Sequence, residues 1–472
     1  MEGKMKLFLF VNFVVFLLVF KVPGQHFPII KQNELDLTSL KKNGNGVLVE
    51  TFFSKQALLP QTQTKNQLIN FLSTEHEEYG LDGWFFFGNL IEGKDDTKIK
   101  DDQINSFFIA IQRMDVFAIP GLSLAIFPCI VGFNSPELEE YIYGGNLLYG
   151  INCPPITATS NPWSVTVSYP SKLHGPPLMM SMILINGKMG MKDAVYILSS
   201  YVEDQKGNLL QIYVKIKDVF GVVNQGYGSS SFFPQWVLPA QRKAIQAAPF
   251  NGSVKSYLST KDARMTCQGS YYYSAPNLKV LDFKITKNNK TLAKGNQGKL
   301  WMDYIVQTYN DNAKTVINKC SWFFAAIQFS DNTSMMIFQL KTKTMGILPI
   351  ANFFSSKGKV KTNGAISAEY CWDFDKISIT PVKDSIWTSP TSHLEYYTKY
   401  DIILQSDRKE YNANLTVGTL INNQEICISG TDPKYEGIAT VSGTLNSRKV
   451  KGYAWVELQP VASFSNDKIG DI

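Results

Sequence analysis

The chain has 472 residues, 44% of them hydrophobic and 18% charged. At roughly 100–200 residues per domain it can hold two or three domains with ample cores, and its composition excludes an unstructured chain. The formal charge is +6, and +4 without Glu2, Lys4, Lys6 and Lys21 of an N-terminal leader, too little to point to nucleic acid as a partner. Aromatic residues make up 13% of the chain against 4 histidines, so apolar surface is abundant and imidazole chemistry scarce.

The leader has Lys4 and Lys6 before an apolar stretch from Leu7 to Phe20, broken only by Asn12, and then Val22-Pro23-Gly24 ahead of Gln25. That run is shorter than the roughly 20 residues a membrane-spanning helix needs. Residues 1–24 therefore read as a secretory signal peptide, and the expected product is secreted, with no transmembrane anchor after cleavage. No later segment is long and apolar enough to span, and the polar end Ser465 to Ile472 carries no lipid-attachment tail. Cys129, Cys153, Cys267, Cys320, Cys371 and Cys427 are an even set, expected to form disulfides in an oxidising compartment, with 15 pairings open. Asn251, Asn289, Asn332 and Asn414 begin glycosylation sequons, so a glycoprotein with these asparagines at its surface is expected.

Along the chain the dominant signal is alternation of apolar and polar residues over short runs, with Gly, Asn, Asp and Pro between them. Strands are predicted at Gly46–Phe53, Trp84–Ile91, Ser106–Met114, Trp163–Tyr169, Met180–Ile185, Ala194–Val202 and Leu210–Lys217. A second series runs from Tyr271–Tyr273 and Val280–Thr286 through Lys299–Tyr309, Trp322–Phe329 and Met335–Lys341 to Tyr453–Leu458. Helical periodicity is confined to Asn66–Ser73, Glu137–Tyr143 and Ala240–Ala248, and Asn134–Pro162 and Gly221–Pro239 read as Pro/Gly-rich loops. The class is all-β. Many short antiparallel strands hide their edges by closing, which predicts two packed barrels: one in residues 25–312, with insertions, and a second of about eight strands in residues 313–472.

Standard catalytic patterns are missing: there is no Gly-x-Ser-x-Gly elbow, phosphate loop, dinucleotide fingerprint or His-Glu-x-x-His. Asp95, Asp96, Asp101 and Asp102 are interleaved with lysines in a solvated loop rather than a metal site, and no metal is expected. Three acid/tryptophan pairs two residues apart do stand out: Asp82 with Trp84, Trp301 with Asp303, and Trp455 with Glu457. Strand alternation points the members of each pair the same way. If that way is inward, burial raises the carboxyl pKa and makes a proton donor, while the indole face supports positive charge. The plainer reading is an acid that faces solvent or anchors a lysine or arginine.

Leu81-Asp82-Gly83-Trp84-Phe85-Phe86-Phe87-Gly88-Asn89-Leu90 resembles the Glu-Trp-Trp-Tyr-x-Thr-Gly-x-Leu segment of the carotenoid 1,2-hydratase (hydroxyneurosporene synthase)/AttH-like lipocalin superfamily, which includes kievitone hydratase-like and fungal Diels–Alderase-like proteins. Tyr271-Tyr272-Tyr273-Ser274, Gly298-Lys299-Leu300-Trp301-Met302-Asp303, Ser321-Trp322-Phe323-Phe324, Trp387-Thr388-Ser389-Pro390, Tyr435-Glu436-Gly437 and Gly452-Tyr453-Ala454-Trp455-Val456-Glu457-Leu458 follow in the family order. The resemblance implies two lipocalin-like barrels, a ligand cavity near their contact, no redox cofactor, and Asp303 as the acid that protonates an alkene. The chain departs from the pattern at Tyr304 and Ile305, where the family has polar residues, and at Gly83, where it has Trp. Ile305 shares the face of Asp303 and cannot hydrogen-bond it.

The expected activity is cofactor-independent hydration, isomerisation or cyclisation of an apolar polyene, prenyl or terpenoid-like molecule in a barrel cavity. Asp303 is the expected catalytic acid, with Trp301, Trp322, Tyr304, Tyr272, Asp82 and Trp84 around the substrate. The alternatives are a non-catalytic carrier of a hydrophobic ligand, and a structural protein whose barrels are filled by their own side chains.

Overall fold

A computed structural model describes residues 64–74, 81–93, 103–119, 122–136, 138, 141–151, 156–169, 178–225, 232–234, 269–307, 320–342, 349–372, 376–427 and 433–459. Strands dominate because the sequence alternates: in Leu209–Asp218 every second side chain is buried, and in Val195–Glu203 the same period holds. The first sheet has 14 strands, all antiparallel. Its path runs Ile142–Ile151, Leu122–Asn134, Ile104–Ile119, Leu81–Ile91, Gln297–Gln307, Gly269–Lys287, Leu209–Asp218, Val195–Glu203, Leu178–Asn186, Trp163–Tyr169, Ile156–Ser160. A bridge between Gly144 and Asp204 brings one end of this path back toward its middle, so the sheet curls on itself. The second sheet has ten strands, in the main order Tyr370–Trp372, Ile350–Phe354, Ser334–Thr342, Cys320–Phe329, Arg448–Gln459, Lys434–Leu445, Ala413–Thr419, Lys399–Leu404, Ile377–Pro381. The fold is thus two curled, nearly closed antiparallel barrels.

Some segments differ from their sequence-based reading. Residues 134–162 hold the strands Ile142–Ile151 and Ile156–Ser160 rather than one long loop, and Ile142 and Tyr143 begin a strand, not a helix. Leu122–Asn134 is a strand that alternation misses, because its apolar run is nearly continuous and interrupted by Pro128. Tyr271–Tyr273 and Val280–Thr286 belong to one 19-residue strand, Gly269–Lys287, whose register shifts at Ala275/Leu278 and Val280/Asp282 bend it. The leader, Gly46–Phe53, Ala240–Ala248 and the acidic stretch at Asp95 to Asp102 lie outside the described residues.

The helix Lys65–Ser73 starts at a capping box in which Thr64 and Gln67 satisfy each other's backbone N–H groups. It lays Leu68, Phe71 and Leu72 into the interior of the first barrel. Phe71 meets Tyr271, Tyr273 and Tyr304 edge-on, and the Trp84 indole donates to the Leu72 carbonyl at 3.0 Å. The helix and its aromatic partners therefore occupy the space a hollow lipocalin lumen would offer.

Register decides what lies outside. Phe87 pairs with Phe108 on one side and Trp301 on the other, so these three rings stand abreast on the outward face of the first sheet. In the second sheet Trp455 pairs with Ala326 and Ile438, and Glu457 with Phe324 and Glu436, again on the outward face. The two outward faces pack on each other: Trp455 stacks on Phe87 at 5.4 Å and on Phe108 at 5.9 Å, while Phe324 meets Phe87 edge-on at 6.1 Å. Polar ties support the contact, with Gln328 donating to the Pro276 and Leu300 carbonyls at 2.7 and 2.9 Å and Asn134 to the Asn423 carbonyl at 2.7 Å.

Gly88 and Gly298 lie next to the register that brings Phe87 and Trp301 together. Gly88 has φ +146° with the Lys299 carbonyl 2.4 Å from where a Cβ would stand, and Gly298 has φ +133° with the Asn89 carbonyl at 2.3 Å. Both positions exclude any side chain.

No disulfide joins the described residues: Cys129, Cys371 and Cys427 carry thiols, and Cys129 is fully buried. The expected disulfide framework is not formed by these three, while Cys153, Cys267 and the side chain of Cys320 lie outside what is described. Asn289, Asn332 and Asn414 are exposed. Among the described residues no helix is long and apolar enough to cross a membrane.

Truncating Trp455 removes the ring that joins the sheets. Trp455→Ala is expected to cost about 3–5 kcal/mol, as for other buried aromatic truncations, measured as a lowered chemical-denaturation midpoint; an unchanged midpoint would show that the stack does not hold the barrels together.

Candidate functional site

In the strand Gln297–Gln307, Trp301, Asp303 and Ile305 point to the outward face and therefore into the contact with the second sheet. On the neighbouring strand Ser274 stands opposite Asp303 and Tyr272 opposite Ile305, so both hydroxyls share that face. Their hydrogen bonds converge on one carboxyl group. Tyr272 donates to Asp303 Oδ2, Ser274 donates to Oδ1, and the Trp301 indole donates to Oδ1 at 2.6 Å. Asp303 is 3% exposed.

A buried relay holds this cluster in place. Asn352 of the second sheet donates to the Gln225 carbonyl at 2.6 Å and to Gln225 Oε1 at 3.3 Å. Gln225 Nε2 donates to Ser274 Oγ at 2.8 Å, which leaves the Ser274 hydroxyl hydrogen directed at Asp303. All three side chains are buried, so the orientation of the acid is set from both barrels.

Two effects oppose each other at Asp303. Burial disfavours the carboxylate and raises its pKa, while the donors Ser274, Tyr272 and Trp301 favour the carboxylate and lower it. Burial wins, aided by the negative Glu457, and the carboxyl is pushed up to about 7. Tyr272 is raised well above the ordinary phenol range, first by burial and then by Asp303, so it remains a phenol beside the acid. Near neutral pH Asp303 is thus divided between a proton-bearing form and a carboxylate, the condition a general acid needs.

Across the contact the second sheet presents Trp322, Glu436, Trp455 and Glu457 on the same face. Trp322 is half-buried, packs against the shared core, and has the Lys434 Nζ 5.5 Å from its ring centroid. The structure therefore brings together Asp303, Trp301 and Tyr272, with Trp322 facing them from the other barrel. Tyr304, Asp82 and Trp84 lie elsewhere. They pair with one another's strands on the opposite face, inside the first barrel: Trp84 packs on Tyr304 at 5.2 Å and on Trp163 at 6.0 Å, and the Tyr304 hydroxyl donates to the Thr74 carbonyl at 3.1 Å. Asp82 is buried on that interior face, opposite Arg113 in register. Asp303, by contrast, owes its dryness to the meeting of two sheets and not to a barrel lumen.

Sequence reasoning passed over Ser274, Gln225 and Asn352 as site residues. Ser274 had a signal, since it ends the Tyr271–Ser274 motif and shares a face with Tyr272; Gln225 and Asn352 reach the site only through tertiary packing. Grooves of about 480 Å³, bordered by Lys376 and Asn414, and about 360 Å³, bordered by Thr74 and Ile156, lie away from Asp303. No group of metal-ligating side chains occurs among the described residues.

Removing a donor from a carboxylate raises its pKa. Tyr272→Phe and Ser274→Ala are each expected to move the Asp303 titration above about 7, read from its carbonyl infrared band against Asp303→Asn; a downward shift would contradict the network. A second expectation follows from linkage. Asp303 and Asp218 are both raised from 3.8 to about 7, by burial first, so between about pH 4 and 7 the folded chain binds more protons than the unfolded one. Their contribution to stability falls as pH rises through that window. Denaturant midpoints at pH 5 are expected to exceed those at pH 8, with a smaller difference in Asp303→Asn and in Asp218→Asn.

No family profile and no curated sequence matches the chain. Solved structures do. An AttH-type protein of Nitrosomonas europaea is 16% identical, with a TM-score of 0.52 over 85% of this chain and 99% of that one. Kievitone hydratase of Nectria haematococca is 14% identical, with a TM-score of 0.50 over 84% of this chain and 95% of that one. At these identities the likeness concerns the fold: the chain has the two-barrel AttH/kievitone hydratase-like fold.

Proposed function

We propose that the chain is a cofactor-independent acid catalyst that hydrates, isomerises or cyclises an apolar polyene, prenyl or terpenoid-like small molecule between its two barrels. One observation carries the reading: a carboxyl buried between the barrels is held by three converging donors, in a site dry enough that burial outweighs them and raises its pKa to about 7. A purely structural anchor needs those donors and gains nothing from a retained proton. The fold shared with kievitone hydratase supports the hydratase branch of the proposal.

In the proposed step the Asp303 O–H bond breaks as a C–H bond forms on one alkene carbon. Positive charge then develops on the other carbon. The faces of Trp301 and Trp322 stabilise it, most strongly where water is excluded. Water addition, proton loss or attack by a second double bond completes hydration, isomerisation or cyclisation respectively. Tyr272 and Ser274 keep the carboxyl oriented and stabilise the carboxylate left behind, so the same groups serve both ends of the proton transfer.

The test uses the purified chain with kievitone and a panel of apolar polyenes and prenyl compounds, followed by mass spectrometry. Turnover is expected, and Asp303→Asn should lower it about 10²–10⁴-fold while ligand retention and fold persist. Unchanged turnover in Asp303→Asn removes the acid from the mechanism; a retained ligand returned unaltered by the wild type identifies a carrier.

A further inference from the structure

Glu436 and Glu457 stand directly opposite each other on adjacent strands of the second sheet, and both point into the contact with the first. Directly opposed residues on antiparallel strands hold their Cβ atoms about 5 Å apart, so the two carboxyl groups are neighbours. The Trp455 indole donates to Glu436 Oε2 at 2.8 Å. Two carboxylates placed this close in a contact covered by the other barrel repel each other, which favours the state in which one of them keeps a proton. Burial and the neighbouring carboxylate push Glu436 well above the ordinary range, and burial pushes Glu457 up, with Lys434 opposing both. From the first barrel, Tyr141, just ahead of the strand Ile142–Ile151, is an electrostatic neighbour of Glu436, and Asp303 and Tyr272 are electrostatic neighbours of Glu457.

We propose that Glu436 and Glu457 act as one carboxyl pair sharing a single proton, and that the remaining negative charge of the pair holds the proton on Asp303 across the contact. Both are positioning residues. The pair gives the second barrel a part in the site: the first barrel supplies the acid, whose burial is the main cause of its raised pKa, and the second adds a negative charge that acts in the same direction. The catalytic consequence rests on the proposed role of Asp303, whereas the electrostatic relation stands without it.

The experiment is an infrared pH titration of the full chain with 13C-carboxyl glutamate, so that glutamate and aspartate bands separate. The wild type should hold a neutral glutamate carboxyl at pH 7 that is missing from Glu436→Gln/Glu457→Gln. Against an Asp303→Asn reference, the Asp303 midpoint should fall by about one to two pH units in that double variant, the size expected for one charge roughly 6–12 Å away at an effective dielectric of about 20. In Glu436→Gln alone the charge settles on Glu457, and the Asp303 midpoint should stay or rise. An unmoved midpoint in the double variant, or a wild type with both glutamates ionised at pH 7, overturns the proposal. The wild-type measurement decides even if the double variant does not fold. Loss of the turnover effect in Asp303→Asn would strike the proposed reaction and leave the shared proton standing.

Discussion

The stack of Trp455 on Phe87 and Phe108 is the contact on which the candidate site depends. Each barrel satisfies its own interior with apolar and aromatic side chains, which leaves the outward faces to solvent unless something covers them. Here the outward face of each sheet covers that of the other, and burial of the three rings contributes several kcal/mol at about 25 cal/mol per Å². Asp303 and Glu436 sit on the covered faces. Pulled apart, the same carboxyls would be ordinary surface acids with ordinary pKa values. Dehydration, and with it the chemistry proposed, is a property of the pair of sheets.

That origin also explains the polar network. Burying an unpartnered carboxylate is prohibitively costly, and a fully satisfied one has little reason to keep a proton. Asp303 sits between these limits: three donors make its burial tolerable, and their combined pull is weaker than the desolvation it opposes. The relay from Asn352 through Gln225 to Ser274 fixes the direction of one donor from the opposite barrel. Any relative shift of the barrels would disturb both the dryness and the donor geometry, so the two are maintained together.

Much of this was legible in the sequence, for a reason tied to register. The segments around Phe87, Tyr272, Trp301, Phe324, Glu436 and Trp455 lie on the central strands whose outward faces meet, and Gly88 and Gly298 mark positions where neighbouring backbones approach too closely for a side chain. The two-residue spacing of Trp301 and Asp303 showed that they share a face. It could not show which face, because period two is the same for a residue pointing into a barrel and one pointing out. Hence Asp82 with Trp84 and Trp301 with Asp303 looked alike in sequence and lie on opposite sides of one sheet. Tyr304, expected to line the substrate cavity, follows Asp303 directly in the strand, and alternation places it on the other face. Asn352 and Gln225 are distant in sequence from Asp303 and carry no local pattern, so only the packed fold reveals them.

The choice among hydration, isomerisation and cyclisation turns on where a water could be held. Beside Asp303 the first sheet offers Phe85 and Ile305, neither of which can bind water, and the Tyr272, Ser274 and Trp301 donors are already committed to the carboxyl. A hydration reaction needs a nucleophilic water on the far side of the substrate, and its polar partners must then come from the second sheet, where Glu457 and Lys434 stand near Trp322. If those groups are occupied with each other, a cation formed by Asp303 has no placed water to capture and resolves by losing a proton or closing a ring. The chemistry open to this fold therefore depends less on its acid than on how the facing barrel spends its charged side chains.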